Sequence, residues 1–191
     1  MKLGWMKRLP CDQLKPEQWR RWHVLEHELI SITDTEYPSI LELGVRDGKV
    51  PQHLMKRIPG LTYVGIDAWT DYASELARGE HDMAYARDKM ARNREQAESV
   101  TRSWPRQATM IEGLTQDVHQ LITRKFAIVW IDADHSYESV ARDIDLYRDK
   151  VKPGGIICGH DYDWPEVHRA VHERFEDVES HADDVWLVRT K

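Results

Sequence analysis

Cysteine is scarce: Cys11 and Cys158 are the only two in 191 residues, which excludes a disulfide framework, and Cys158 falls inside an apolar run rather than in a thiolate zinc motif. A reducing cytoplasm is the expected compartment. No apolar run approaches the roughly 20 residues that a membrane-spanning helix needs. The opening Met1-Lys-Leu-Gly-Trp5 lacks a signal-peptide core, so the expectation is a soluble, unprocessed protein. Positive charge is short as well, with 27 Lys and Arg against 33 Asp and Glu and a formal net charge of -6, so no broad basic field for nucleic acid is expected. The chain has no internal repeat or low-complexity segment, and its length predicts one domain spanning residues 1–191.

What is present centres on residues 38–49. Ile40, Leu41, Leu43 and Val45 form a short apolar run, as in a parallel strand covered on both faces, interrupted by Glu42. Gly44 and Gly48 follow, where the backbone can approach a ligand without a Cβ in the way. A helix is predicted next, carrying Val50, Leu54, Met55 and Ile58 and stopped by Pro59-Gly60. Leu61 to Asp67 reads as a second strand ending in a carboxylate. Strand, glycine turn, helix, strand and terminal acid make the nucleotide-binding half of a doubly wound sheet, in which the acid takes ribose hydroxyls. A pyrophosphate calls for a third glycine. Here only Gly44 and Gly48 stand, with Arg46 and Asp47 between them. Asp47 would repel a pyrophosphate, whereas a zwitterionic amino-acid tail tolerates both charges, which favours S-adenosylmethionine (SAM). Glu42-Leu-Gly-Val-Arg-Asp-Gly48 together with Tyr63-Val-Gly-Ile-Asp67 resembles the first two motifs of class I SAM-dependent methyltransferases.

In chain order, residues 1–15 read as an arm. Pro16 opens a predicted helix with Trp19, Trp22, Leu25, Leu29 and Ile32 on one face. Residues 68–107 are a long connection in which 81–100 reads as a highly charged helix with the thin stripe Met83, Met90, Ala97 and Val100. It is either a solvated crossover helix or a mobile cover over residues 70–100. A third strand is expected at 108–113, with Thr115 capping a short helix. A fourth strand runs over 126–131, a helix over 137–151 follows from i, i+3, i+4, i+7 spacing, and Lys152-Pro-Gly-Gly155 reads as a turn. A fifth strand from Ile156 leads to a helix from Pro165. Strands at 176–180 and 185–190 make a terminal hairpin turning near Asp183-Asp184. The resemblance to class I methyltransferases implies a Rossmann-like seven-stranded α/β sheet of order 3-2-1-4-5-7-6 with its last strand antiparallel.

The unusual polar residues all fall at the carboxyl ends of these strands, where an open α/β sheet binds ligands. Asp132 and Asp134 end strand four, His160 and Asp161 end strand five, and neighbouring strands lie about 4.8 Å apart. Such a group either shifts pKa values, binds a hard cation, or does both. The segments 131–140, 152–162 and 165–171 are similar to the small class I methyltransferases related to macrocin O-methyltransferase and cephalosporin-biosynthesis proteins.

That resemblance implies SAM held by Glu42, Gly44 and Asp67 with neighbouring Ala68 and Asp132, adenine near Gly113 and Leu114, and in some members a divalent ion at the strand-four and strand-five acids, here Asp132, Asp134 and Asp161. Relatives that use a metal commonly carry an acid pair after strand five. His160-Asp161 departs from that pattern, and histidine suits Mg²⁺ poorly and Mn²⁺ better. His160, His135 and Asp132 are the candidates for moving the acceptor's proton. Asp134 and Ser136 read equally as a helix cap, and His168 and His172, four apart, as a solvated face. The predicted activity is methylation of a small-molecule or sugar hydroxyl, with a small acceptor as partner, no nucleic acid or membrane, and a homo-oligomer left open. A nicotinamide oxidoreductase and a non-catalytic SAM-binding module are the alternatives.

Overall fold

The structure is a computed structural model that describes residues 14–15, 18–32, 38–70 and 83–191. Residues 1–13 of the expected arm and Pro16, together with residues 71–82 of the long connection, lie outside the described residues. The elements are α1 (Arg21–Ile32), β1 (Ser39–Leu43), α2 (Lys49–Arg57), β2 (Thr62–Asp67), α3 (Met83–Ser103), β3 (Ala108–Glu112), α4 (Thr115–Val118), β4 (Phe126–Ile131), α5 (Tyr137–Tyr147), β5 (Val151–Gly159), α6 (Pro165–His172), β6 (Glu179–His181) and β7 (Val185–Arg189).

The sheet has seven strands in the order β3-β2-β1-β4-β5-β7-β6. Pairing is parallel from β3 through β5, and β7 runs antiparallel to both β5 and β6. The chain order reverses between β1 and β4, which places the ligand crevice outside the carboxyl ends of those strands.

Every residue of β1 and β4 is buried, because helices cover both faces of the sheet. Period-two alternation sorts their side chains. Ile40, Ile128 and Trp130 pack with Leu25 and Leu29 of α1 and Leu54 of α2. Leu41, Leu43, Val129 and Ile131 pack with Val140 and Ile144 of α5 and Val167 and Val171 of α6.

α3 is the crossover from β2 to β3, and the thin stripe is its docking face. Ala86, Met90, Ala97 and Val100 are buried, and Met90 and Ala97 pack on Val45 and Trp69 beside the first turn. A Cβ at Gly48 would lie 2.9 Å from Ala97 Cα, so glycine there lets the helix close onto the loop. This part of the expected cover is packed against the body.

Lys152-Pro-Gly-Gly155 is not a separate turn but a bulge within β5. Phe126 pairs with Val151 while Ile128 pairs with Ile156, so the extra residues loop out and Gly154 takes φ 72°. The first hairpin strand is also shifted, to Glu179–His181, because Phe175 and Val178 are drawn onto the core just before it. Among the described residues no helix is long and apolar enough to cross a membrane.

Candidate active site

A cavity of about 900 Å³ runs along the carboxyl ends of β2, β1, β4 and β5. Its first end is built by the backbone. Asp132 N–H donates to Leu43 O (2.8 Å) and Gly44 N–H to Ile66 O (2.8 Å), which joins the ends of β4, β1 and β2. Gly44 has φ 87°, and a Cβ there would lie 2.1 Å from the Asp132 carbonyl oxygen, so no other residue fits.

Asp67, at the end of β2, accepts Arg46 N–H at Oδ2 (2.7 Å) and Trp69 N–H at Oδ1 (2.7 Å). One carboxylate thereby ties two loops, and both donors sit in the left-handed region at φ 52° and 47°, a conformation that persists only where surrounding bonds hold it. Trp69 is buried and donates Nε1–H to Arg46 O (2.8 Å). Trp69 walls the cavity with Ala68, Gly113 and the half-exposed Leu114. Gly113 N–H donates to Asp67 O (3.0 Å).

Glu42 is buried behind this turn and accepts the Tyr63 hydroxyl proton. Burial pushes its carboxyl well above the ordinary range, an effect the Tyr63 hydrogen bond only partly offsets. Thr115 does not cap α4, since Leu114 holds the N-cap position. Its hydroxyl donates instead to Asp143 Oδ1 of α5 (2.6 Å). Asp143 is 1% exposed, and burial raises its pKa to about 6. Trp69, Thr115 and Asp143 carried no functional signal in the sequence beyond their nearness to strand ends and motifs.

The other end of the cavity is built by side chains. Asp161 Oδ2 lies 2.6 Å from His135 Nε2 and 2.9 Å from His160 Nδ1. Asp132 Oδ1 lies 3.8 Å from His160 Nδ1 and 4.0 Å from His135 Nε2. From α1, Arg21 Nη1 donates to Asp132 Oδ2 (3.2 Å) and His160 Nδ1 (2.8 Å). Arg21 was not foreseen, because an Arg20-Arg21 pair between two tryptophans on an amphipathic helix looks like a solvated position.

The two acids are driven apart. Burial raises Asp132 to about 6 despite the attraction of Arg21 and His160. Burial also acts to raise Asp161, but hydrogen bonds from His135 and His160 outweigh it and hold that carboxyl well below the usual range. A pair of acids separated in this way is an arrangement for proton handling.

For a cation, Asp132, His135 and Asp161 converge, with ligand atoms all within 4.8 Å of one another. Of the expected set Asp132, Asp134 and Asp161, Asp134 lies outside this group and His135 lies within it. Asp134 Oδ1 accepts Ser136 N–H (2.7 Å) in the turn that starts α5, so the capping reading of that segment accounts for it, although Ser136 itself makes no side-chain cap. Two carboxylate oxygens and one imidazole fit a divalent ion, and the imidazole shifts preference from Mg²⁺ towards Mn²⁺ or later metals. His168 and His172 stack on the exposed side of α6 at 4.3 Å between ring centroids, with the Tyr162 hydroxyl 2.7 Å from His172 Nε2.

A doubly wound sheet with this strand order and a crevice of this kind defines the class I methyltransferase architecture. The chain belongs to the methyltransferase-domain family whose sequence profile matches residues 41–162, and it is a SAM-dependent enzyme of class I. The nicotinamide alternative finds no support. No curated protein sequence matches the chain.

Solved structures share the fold. An O-methyltransferase from Bacillus cereus, in complex with S-adenosylhomocysteine (SAH), is 15% identical, with 95% of this chain and 86% of that one covered at a TM-score of 0.56. The O-methyltransferase NovP is 18% identical, with 90% and 79% covered and a TM-score of 0.59. An rRNA methylase from Streptococcus thermophilus is 10% identical, with 91% and 99% covered and a TM-score of 0.61.

Proposed function

We propose that the chain methylates an oxygen of a small-molecule acceptor, such as a sugar hydroxyl, a finer reading than macrocin- or cephalosporin-type membership by name. The observation that carries it is the continuity of the cavity from Gly44, Asp67 and Gly113 to Asp132, His135, His160 and Asp161, so that a donor sulfonium and a proton acceptor face one space. The B. cereus and NovP structures bear the O-methyltransferase name, which agrees with this reading.

In the proposal Asp67 takes the ribose hydroxyls. Each of its oxygens accepts one backbone N–H, which fixes the carboxylate at the end of β2 facing the cavity. Gly44 lets the backbone approach the amino-acid end, which Glu42 supports from behind. Gly113 and Leu114 flank the adenine, with Asp143 and Thr115 beneath.

Transfer is an in-line displacement: the bond from the methyl carbon to sulfur breaks as the bond to the acceptor oxygen forms, and SAH leaves. The acceptor's proton passes to a base. His160 is that base, and Asp132 and His135 set its surroundings. A divalent ion, when bound, would be held by Asp132, His135 and Asp161 and would lower the pKa of the acceptor hydroxyl.

The test is SAH release from SAM across a panel of sugar, phenol and amine acceptors. Oxygen acceptors turning over, with His160→Ala inactive while still binding SAM, is the expected result. Turnover confined to amines would refute oxygen transfer, and SAM binding without turnover on any acceptor would favour the non-catalytic module.

A further inference from the structure

Arg21 fills a place suited to a cation. Its guanidinium lies 3.2 Å from Asp132 Oδ2 and 2.8 Å from His160 Nδ1, while the oxygen and nitrogen atoms that can converge on a metal belong to Asp132, His135 and Asp161. The helix that carries it is anchored. Asp183, in the turn between β6 and β7, accepts Arg21 N–H at Oδ2 (2.9 Å) and Arg20 Nη1 at Oδ1 (3.1 Å). Asp183 and Asp184 take φ 59° and 52°, and Tyr162 N–H donates to Asp184 O (3.0 Å). The same turn therefore holds both the start of α1 and the loop after Asp161. Further along α1, buried Glu26 is gripped from α2 by His53 Nε2 (2.7 Å) and Arg57 Nε (3.3 Å). The backbone of Arg21 is pinned, but its side chain is 30% exposed and long enough to swing outward.

We propose that Arg21 is a built-in rival of a divalent cation for the Asp132, His135 and Asp161 cluster, so that the ion enters as the guanidinium swings out. The inference rests on reading this cluster as an ion site. A guanidinium keeps its charge at any working pH, so its repulsion of a nearby dication is relieved only by moving away.

His160 shows the same competition. Arg21 Nη1 lies 2.8 Å from its Nδ1 and 3.1 Å from its Nε2, and Asp161 Oδ2 lies 2.9 Å from Nδ1, so a neutral ring that donates Nδ1–H to Asp161 has its one acceptor nitrogen, Nε2, occupied by the guanidinium. Withdrawal of Arg21 leaves Nδ1–H donating to Asp161, which orients the imidazole, and frees Nε2 to take a proton. The cation and the base are thus set by the position of one side chain.

The experiment is Mn²⁺ titration followed by the electron paramagnetic resonance of the free ion, on the full chain as wild type, Arg21→Met, Arg21→Lys, and Arg21→Met combined with Asp161→Asn. Methionine keeps the apolar stem without the charge, and a cooperative thermal transition confirms that each variant is folded. Arg21→Met is expected to bind Mn²⁺ about tenfold more tightly than wild type, Arg21→Lys to fall nearer wild type, and the double variant to lose the gain. Equal or weaker binding by Arg21→Met overturns the proposal, as does a gain that survives Asp161→Asn. Absence of Mn²⁺ binding in every protein also overturns it, whereas SAH calorimetry on the wild type judges the cofactor reading separately.

Discussion

At the β1–β2 end of the cavity Asp67 is held by the backbone N–H groups of Arg46 and Trp69, whereas at the β4–β5 end Asp161 is held by the rings of His135 and His160 and Asp132 by the guanidinium of Arg21. The first set joins residues 2 and 21 apart in sequence. The second draws in a helix 111 and 139 residues away. Backbone donors cannot lose a proton or change rotamer, so the β1–β2 end is a fixed mould. Side-chain donors can change rotamer, so the β4–β5 end is adjustable. The proposed function is served by that division: it puts the methyl donor at the rigid end and the acceptor at the end that can be retuned without unfolding the sheet.

The sharpest way to break the rigid half is Gly44→Ala. Its Cβ would meet the Asp132 carbonyl oxygen at 2.1 Å with φ 87°, so a loss of about 3 kcal/mol or more in unfolding free energy is expected by denaturant titration. Gly60→Ala is the control: φ is 79° but nothing lies within 4 Å of the added Cβ, and about 1 kcal/mol is expected from backbone strain alone.

Asp67→Asn comes next. The amide presents N–H₂ where Arg46 or Trp69 also presents N–H, and SAM affinity should fall by about 1.5–3 kcal/mol in calorimetry.

The adjustable half predicts a pH dependence. Asp132 has a folded pKa of about 6 against an ordinary 3.8. A raised acid costs folding energy as it ionises, so this residue's share of the stability falls as pH rises from about 4 to above 6. Asp161, held low, acts oppositely: its contribution is complete above the ordinary carboxylate value and is lost as pH falls towards its lowered one. In EDTA, Asp132→Asn should therefore flatten the fall in unfolding free energy between pH 4 and 7, by about 2 kcal/mol. An unchanged slope would remove Asp132 from the coupled cluster.

The smallest effect is expected at Arg94. It bridges Glu98 (2.8 Å) and Glu112 (2.5 Å) at the surface, and Arg94→Ala should leave the melting temperature unresolved from wild type because exposed ion pairs contribute little.

The division also explains what could be read from the sequence. The continuous runs Ile40 to Val45 and Phe126 to Ile131, the glycine after β1 and the acid ending β2 are local signals, and they placed the crevice with Gly44 and Asp67 on its rim, while the sheet order and Gly113 came from the resemblance those motifs carry. Asp132, His160 and Asp161 were legible as strand-end polar residues. Arg21 and Asp183 were not, because they reach the cluster through tertiary packing between segments 162 residues apart. Asp134 was legible only as an alternative for a related reason: an acid three residues past a strand serves equally as a ligand or as the hydrogen-bond acceptor that starts the next helix, and the choice depends on the direction of the loop. His135 reaches the cluster instead. The left-handed backbone of Arg46 and Trp69 had no glycine or asparagine to announce it. The bulge at residues 152–155 was hidden by a Pro-Gly-Gly sequence that ordinarily ends a strand.

The most direct measurement of the division is calorimetric titration of SAH into wild type, Asp67→Asn and Asp161→Asn. The rigid mould predicts that Asp67→Asn binds SAH about tenfold or more weakly, while Asp161→Asn binds within about twofold of wild type, since its partners lie at the β4–β5 end. A loss of equal size in both variants, or one confined to Asp161→Asn, would contradict it.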